Sequence, residues 1–239
     1  MRRFRFHILA MLLLVSFRMN AQHIYFVSVG IADYPGFRND LVLPVHDAQD
    51  LYDLYDSNTN ATSVLLTDSV ADKKRILRES RKFFGKAGKN DIVILFFSGH
   101  GYPGGFVAHD GFLAYEEIRQ LFSQCKARSK MIFADACFSG DIREGTGEKF
   151  NNPKNNIMLF MSCRDNEASI ENPRLRNGFF TACLLRSLKG GADVDKDRVI
   201  TAKELFQAVS FGVRQLSKDK QHPVMWGNFD HDMPVMIWK

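Results

Sequence analysis

The stretch Asp91-Ile92-Val93-Ile94-Leu95-Phe96-Phe97-Ser98-Gly99-His100-Gly101 decides the fold of this 239-residue chain. Its first seven residues are almost continuously apolar, which is typical of a central strand in a parallel sheet covered on both faces. A second stretch of this kind, Lys130-Met131-Ile132-Phe133-Ala134, runs into Asp135-Ala136-Cys137-Phe138-Ser139-Gly140. We expect the two polar segments to meet at the carboxyl edge of one sheet, where ligands bind in open α/β sheets.

A thiol and an imidazole at one sheet edge are the two groups that nucleophilic catalysis by cysteine requires. A histidine within reach takes the thiol proton, and the thiolate is the species that attacks. We therefore predict Cys137 as a nucleophile and His100 as its general base, with the backbone N–H groups of Gly101 and Cys137 as the oxyanion hole. Taken singly, Cys137 has the alternative of a small buried hydrophobe. A packing role explains neither the strand-end positions nor the small neighbours of both residues.

These segments resemble the caspase-like cysteine peptidases, specifically the metacaspase-like branch and its bacterial relatives. In that branch one apolar strand ends in Ser-Gly-His-Gly and another in Asp-Ala/Ser-Cys-x-Ser-Gly. The resemblance implies that Cys137 is the nucleophile and His100 the base. The caspase signature has glutamine two residues before the cysteine and its histidine about fifty residues upstream. Here Asp135 replaces the glutamine and His100 lies 37 residues before Cys137, which favours the metacaspase side over the aspartate-cutting caspases.

Strands and helices alternate along the rest of the chain, in the order of that family. The sequence predicts strands at 24–31, 63–66, 156–162 and 235–238, and helices from Pro44, at 73–84, from Gly178 and from Thr201 to about Leu216. This alternation indicates an α/β fold, a caspase-like three-layer α/β/α sandwich with a mostly parallel central sheet. The length and the 45% hydrophobic content fit one globular domain.

The resemblance also implies a substrate preference. In metacaspase-like enzymes the pocket for the residue before the cleaved bond is acidic, and the matching positions here are Asp47, Ser98 and Asp135. A carboxylate pair favours arginine or lysine through charge-assisted hydrogen bonds and repels aspartate. The alternative for Asp47 is a purely structural one, in which its charge stabilises the first turn of its own helix.

Residues 1–21 have the pattern of a secretory signal peptide. Arginines stand at positions 2, 3 and 5, a ten-residue apolar stretch follows at 8–17, and a candidate cleavage point lies at Ala21-Gln22. The stretch is short for a membrane helix, although Arg18 and Met19 leave an uncleaved anchor as the alternative. We expect an exported protein, periplasmic or secreted, whose mature part is the peptidase domain 22–239 with no stable membrane span.

The signal peptide also accounts for most of the basic charge. Removing residues 1–21, with their four arginines and no acids, takes the formal net charge from +5 to +1. The basicity therefore belongs mostly to the export segment, and nucleic-acid binding loses its main support. The expected partners are proteins or peptides with basic residues.

The loop at 141–156 follows the predicted nucleophile and is rich in glycine, asparagine, lysine and glutamate. It contains Arg143, Lys149 and Lys154, after which an arginine- or lysine-directed peptidase would cut itself. We expect self-processing in this loop, with a plain surface connection as the alternative.

A second loop has part of a calcium-binding pattern. Asp193, Asp195, Asp197 and Glu204 stand at positions 1, 3, 5 and 12 of such a loop. Arg198 occupies position 6, where the pattern needs glycine, and its cation opposes binding. These residues are candidates for a metal site, and the alternative is a solvated acidic turn that caps the next helix. We expect no required cofactor, with calcium as a candidate activator.

The sequence therefore predicts an exported cysteine endopeptidase with a Cys137–His100 dyad that cuts after arginine or lysine. The main alternative is a catalytically silent caspase-like module that binds proteins. A different use of the dyad, in acyl transfer or amidase chemistry, is a further alternative, which an acidic pocket disfavours.

Overall fold

The computed structural model describes residues 22–36, 39–136, 157–164 and 175–238. The strands are β1 (Ile24–Gly30), β2 (Ala61–Thr67), β3 (Ile92–Ser98), β4 (Gly101–Tyr102), β5 (Gly105–Ala108), β6 (Gly111–Ala114), β7 (Ser129–Asp135), β8 (Ile157–Met161), β9 (Val199–Thr201), β10 (Val224–Trp226) and β11 (Pro234–Ile237). The helices are α1 (Pro44–Asp56), α2 (Lys73–Phe84), α3 (Tyr115–Ser123), α4 (Phe179–Arg186) and α5 (Ala202–Leu216), with a 3-10 turn at Asp68–Val70 and a π-helical turn at Ser187–Gly191.

The central sheet has six strands in the order β10-β8-β7-β3-β1-β2. All neighbours are parallel except β10, which runs antiparallel to β8. Every residue of β3 and β7 is buried, as their continuous apolar character predicts for central strands. The predicted α/β architecture with a mostly parallel sheet is confirmed.

The helices cover both faces of this sheet because side chains along each strand point alternately to opposite sides. On one face Phe26, Phe96, Phe133 and Phe160 pack against α1, α4 and α5. On the other face the side chains from the same strands pack against α2, α3 and a small antiparallel sheet, β4–β6. The result is three layers with an aromatic-rich core on either side of the sheet.

The register of the parallel strands positions the site. Gly30 at the end of β1 pairs with Ser98 at the end of β3, and Ser98 pairs with Asp135 at the end of β7. The three strands therefore end in line at the carboxyl edge of the sheet. The two sequence segments that carry His100 and Cys137 both leave from that line.

The helix boundaries follow local signals in the sequence. Helix α1 begins at Pro44, whose fixed φ suits a first turn. The Asp72 side chain accepts a hydrogen bond from the Arg75 N–H at the start of α2. Thr201 and Glu204 form the capping box that begins α5, and this helix ends at Leu216. The helices predicted at 73–84 and from Thr201 to about Leu216 are therefore confirmed.

Three features differ from or add to the sequence prediction. The small sheet β4–β6 was not predicted, because its strands have only two to four residues. Helix α3, of nine residues, was not predicted either. The predicted last strand is present as β11, but it pairs with β9 outside the central sheet. Cys125, Cys163 and Cys183 are buried thiols.

No helix in the described part of the chain is long and apolar enough to cross a bilayer. The predicted signal peptide at 1–21 lies outside the described residues.

Gly30 provides a test of how tightly α1 docks on the end of β1. A Cβ at Gly30 would lie 2.3 Å from the Pro44 carbonyl oxygen and 2.6 Å from the Ala48 Cβ. Because backbone must move to make room, we expect Gly30→Ala to lower the free energy of unfolding by about 1–3 kcal/mol, measured by urea denaturation. In Gly88→Ala, the matched control, the Cβ would meet only the Asp91 side chain at 3.4 Å, and we expect a change of about 0.5 kcal/mol or less. Equal effects of the two changes would contradict this account of the packing.

Candidate active site

Three side chains at the edge of the sheet form a buried acidic cluster. The Ser98 hydroxyl donates a hydrogen bond of 2.9 Å to Asp47 Oδ2. Asp135 lies on the strand next to Ser98, and all three side chains are buried. Asp47 comes from the first turn of α1, which docks over the ends of β1 and β3. The structure thus brings together the three residues for which the resemblance implied substrate binding.

The start of helix α4 covers this acidic cluster. The Gly178 N–H donates to Asp47 Oδ1 at 3.0 Å, and the Thr181 N–H and hydroxyl donate to Asp135 Oδ2 at 3.2 and 2.9 Å. The two N–H groups belong to the N-terminus of a helix, where backbone amides lack partners within the helix and favour negative charge. The carboxylates of Asp47 and Asp135 therefore satisfy the start of a helix that has no capping side chain of its own.

Gly178 is required for this approach. A Cβ at this position would lie 2.6 Å from Asp135 Oδ2 and 3.5 Å from Asp47 Oδ2. Sequence reasoning missed Gly178 and Thr181 as members of the site. A signal was present, because an apolar helix that begins after glycine lacks the serine, threonine, aspartate or asparagine that usually caps a helix.

The electrostatics of the acidic cluster are unfavourable for two full negative charges. Burial raises the pKa of Asp47 well above its usual range, and the neighbouring Asp135 carboxylate raises it further. Hydrogen bonds from Ser98, from the Gly178 N–H and from Asn177 act in the opposite direction and lower this pKa. The cluster therefore gains from any positive charge that binds to it, whether a proton or a cationic group.

His100 is held by two contacts to the loop that follows β1. Its Nε2 lies 2.7 Å from the Asn39 carbonyl oxygen, and its backbone N–H donates to the Tyr34 hydroxyl at 2.9 Å. Because a carbonyl oxygen only accepts, Nε2 carries the hydrogen and Nδ1 is the nitrogen with the free lone pair. This hydrogen bond assigns the tautomer in which Nδ1 can take a proton.

Tyr34 contacts His100 through both its hydroxyl and its ring. Its hydroxyl also donates to the Val107 carbonyl oxygen at 3.1 Å, and its ring lies 4.7 Å from the imidazole, centroid to centroid. Burial raises the pKa of Tyr34, so that its hydroxyl stays neutral and can donate. Gly99 makes this approach feasible, because a Cβ there would lie 2.5 Å from the Tyr34 hydroxyl. Sequence reasoning named neither Tyr34 nor Asn39, and no motif in the first loop marks them.

A backbone hydrogen bond joins the two predicted catalytic segments. The Gly99 N–H, one residue before His100, donates to the Asp135 carbonyl oxygen at 3.3 Å, two residues before Cys137. The next carbonyl, that of Ala136, accepts from Ser162 Oγ at 3.3 Å and from Cys163 Sγ at 3.6 Å. The backbone that leads to each predicted catalytic residue is therefore tied to neighbouring strands.

Several predicted features lie beyond what the structure tests. Cys137 follows the last described residue of its segment and lies outside the described residues, as does the loop 141–156 with Arg143, Lys149 and Lys154. Gly101 is the first residue of β4, directly after His100. Its N–H as part of an oxyanion hole stays a prediction.

The candidate calcium loop brings three of its four acids together. Ligand oxygens of Asp193, Asp195 and Asp197 lie within 4.8 Å of one another. The Glu204 carboxylate instead accepts from the Thr201 hydroxyl and from the N–H groups of Thr201 and Val194. Arg198 adopts the left-handed conformation that the pattern reserves for glycine, with φ of 70°. The calcium expectation stays a prediction. Of the four acids, Glu204 caps helix α5 together with Thr201, whereas the three aspartates lie before β9 and do not contact the start of the helix in this way.

Comparison with known proteins identifies the family. A sequence model of the caspase domain matches residues 27–233, and the chain therefore belongs to the caspase-domain family of peptidases. No curated protein matches it significantly.

Two solved structures illustrate the shared fold. A protein from Geobacter sulfurreducens superposes with a TM-score of 0.70 at 18% identity, over 91% of this chain and all 100% of the other. Caspase-1 from Spodoptera frugiperda superposes with a TM-score of 0.69 at 14% identity, over 88% of each chain. The protein thus has a caspase-like fold, that of a cysteine peptidase.

Tyr34→Phe tests whether the tyrosine hydroxyl positions His100. Loss of the hydroxyl leaves the His100 N–H and the Val107 carbonyl without this partner, and a displaced imidazole slows chemistry more than binding. We expect kcat for peptide hydrolysis to fall by about 10- to 100-fold with little change in KM. Tyr55→Phe is the matched control, since its buried hydroxyl has no hydrogen-bond partner among the described residues. Equal kcat values for wild type and Tyr34→Phe would refute a positioning role.

Asp47→Asn tests the electrostatics of the acidic cluster. The folded protein holds a proton on Asp47 above the ordinary pKa of 3.8, so wild-type stability declines as the pH rises from about 4 toward the raised pKa. Asparagine carries no charge, and we expect the variant to be more stable than wild type at pH 7 to 8 and equal to it near pH 4. Denaturation curves across this pH range measure the difference. A variant less stable than wild type at pH 8 would contradict the prediction.

Proposed function

We propose that this protein is an exported, metacaspase-like cysteine endopeptidase that hydrolyses peptide bonds after arginine or lysine. The observation that supports this most is the buried Asp47–Asp135 pair beside Ser98, at the same sheet edge as His100. A pair of buried carboxylates next to a candidate catalytic base suits a cationic substrate side chain. Membership of the caspase-domain family supports the reaction class.

In the proposed reaction, His100 Nδ1 takes the proton of the Cys137 thiol and the thiolate attacks the carbonyl carbon of the scissile bond. The carbon–nitrogen bond then breaks, and the imidazolium returns its proton to the departing amine. Water attacks the resulting thioester with His100 as base, which releases the acid and restores the thiol. The Asn39 carbonyl keeps the imidazole in the required tautomer, and the N–H groups of Gly101 and Cys137 would bind the oxyanion.

Substrate recognition in this proposal uses the charge of the acidic cluster. A guanidinium or ammonium group offers N–H donors to Asp47 and Asp135 and compensates their mutual repulsion. Cation binding therefore lowers the pKa of Asp47, and a protonated Asp47 binds the cation less well. It follows that KM for arginine peptides decreases as the pH rises through the pKa of Asp47.

Export and self-processing belong to the same proposal. The pattern of residues 1–21 supports export, which periplasmic or extracellular recovery of a chain beginning near Gln22 would test. Self-processing at Arg143, Lys149 or Lys154 would be recognised by cleavage products that wild type forms and Cys137→Ala does not. Equal cleavage of both proteins at these positions would contradict it.

Hydrolysis of fluorogenic peptides ending in arginine, lysine or aspartate tests the activity, using the chain from Gln22 with calcium chloride and with EDTA. We expect cleavage after arginine and lysine only, and a loss of about 10³-fold or more in kcat for Cys137→Ala or His100→Ala. Comparing the two buffers tests calcium as an activator. No cleavage under any condition would favour the silent binding module.

The acidic cluster has its own matched test. We expect Asp47→Asn and Asp135→Asn to lower kcat/KM for the arginine peptide by about 30-fold or more, since each removes a buried charge that binds the cation. Asp53→Asn is the control, because Asp53 lies on the exposed face of the same helix and accepts from Gln49. Asp47→Asn is expected to lose activity while gaining stability at neutral pH, so misfolding would not explain its loss. Unchanged arginine cleavage in both variants would contradict the proposed specificity.

A further inference from the structure

A hollow of about 520 Å³ opens next to His100, and none of the roles above uses it. It lies between the loop after β1 and the turn that joins β5 to β6. Its wall is formed by the His100 imidazole and by largely apolar side chains, those of Tyr34, Pro35, Tyr102, Val107 and Ala108. Asn39, His109 and Asp110 add polar groups to the lining, and the Asp110 carboxylate also accepts a hydrogen bond from the Lys73 N–H at 2.7 Å. This volume is within the size range of small-ligand pockets and is ample for one large side chain.

The hollow and the acidic cluster lie on opposite faces of the sheet. Asp47 and Thr181 belong to helices α1 and α4, whose apolar residues pack on one face. Tyr34 and Ala108 belong to the core on the other face, with α2 and α3. His100 lies between the two regions, two residues after Ser98 and in the wall of the hollow.

An extended peptide fits this arrangement. In extended backbone, consecutive side chains point to opposite sides. If the residue before the cleaved bond puts its cationic side chain into the acidic cluster, the residue after the bond points toward the opposite face. The amine of that residue must also approach His100, which protonates it as it leaves. Its side chain therefore starts beside the imidazole that forms one wall of the hollow.

We propose that the hollow binds the side chain of the residue that follows the cleaved bond and selects large apolar or aromatic residues there. This inference rests on the proposed function. The ring of Tyr102, which is 62% exposed, offers apolar surface that a bound side chain would cover. The Asp110 carboxylate in the lining disfavours an acidic residue at this position. The enzyme thus recognises the residues on both sides of the cleaved bond, a cationic side chain before it and a large apolar side chain after it.

Internally quenched peptides with arginine before the bond and leucine, phenylalanine, glycine or glutamate after it test this inference. We expect kcat/KM for leucine and phenylalanine to exceed that for glycine by about tenfold, because a filled apolar hollow gains binding from each methylene group. Glutamate is expected to give the lowest value. In Tyr102→Ala the leucine-to-glycine ratio should fall by about threefold or more. Phe211→Ala is the matched control, since Phe211 is 69% exposed on distant α5, and it should leave the ratio unchanged.

An arginyl chloromethyl ketone, which carries no residue beyond the arginine, separates this inference from the proposed function. Labelling of Cys137 together with equal cleavage of the leucine, phenylalanine and glycine peptides overturns this inference alone. An unchanged leucine-to-glycine ratio in Tyr102→Ala overturns it as well. Absence of both labelling and cleavage overturns the proposed function, and this inference with it.

Discussion

The in-register ending of three parallel strands is the constraint on which the rest of the site depends. Gly30, Ser98 and Asp135 lie side by side at the ends of their strands. The Ser98 hydroxyl and the Asp135 carboxylate therefore lie at the same edge of the sheet without the need for long loops. The absence of a side chain at Gly30 lets α1 dock closely enough for Asp47 to complete the cluster. A slip of one residue would turn every side chain of the slipped strand to the opposite face and disperse these groups.

The acidic cluster combines a structural cost with a functional use. Two buried carboxylates close together destabilise the fold, and the raised pKa of Asp47 expresses that cost. The amides at the start of α4 and the Ser98 hydroxyl offset part of it. The proposed substrate cation would offset the remainder. Part of the binding energy for arginine would then come from relieving the electrostatic repulsion between Asp47 and Asp135 in the free protein. Sites that give up stability in this way are commonly functional.

Much of the fold could be predicted from the sequence, because continuous apolar strands and capped helices leave local patterns. Helices α2 and α5 begin and end where their residues predict. The small sheet β4–β6 and the pairing of β11 with β9 could not be predicted, since strands of two to four residues have no clear period and pairing partners are set by tertiary contacts. At the site, the motifs pointed to the charged and nucleophilic residues. They did not point to the four residues that come from distant segments. Tyr34 acts through its hydroxyl and Asn39 through its backbone carbonyl. Gly178 acts through the absence of a Cβ, and Thr181 through its N–H and hydroxyl.

The central claim is that charge, and not side-chain shape, selects the residue before the cleaved bond. Citrulline has nearly the shape of arginine but carries no charge, so the ratio of kcat/KM for matched arginine and citrulline peptides measures the contribution of charge alone. The account predicts a large preference for arginine that increases as the pH rises through the raised pKa of Asp47 and the acidic cluster loses its proton. Equal hydrolysis of the two peptides, or a preference that does not change with pH, would contradict it.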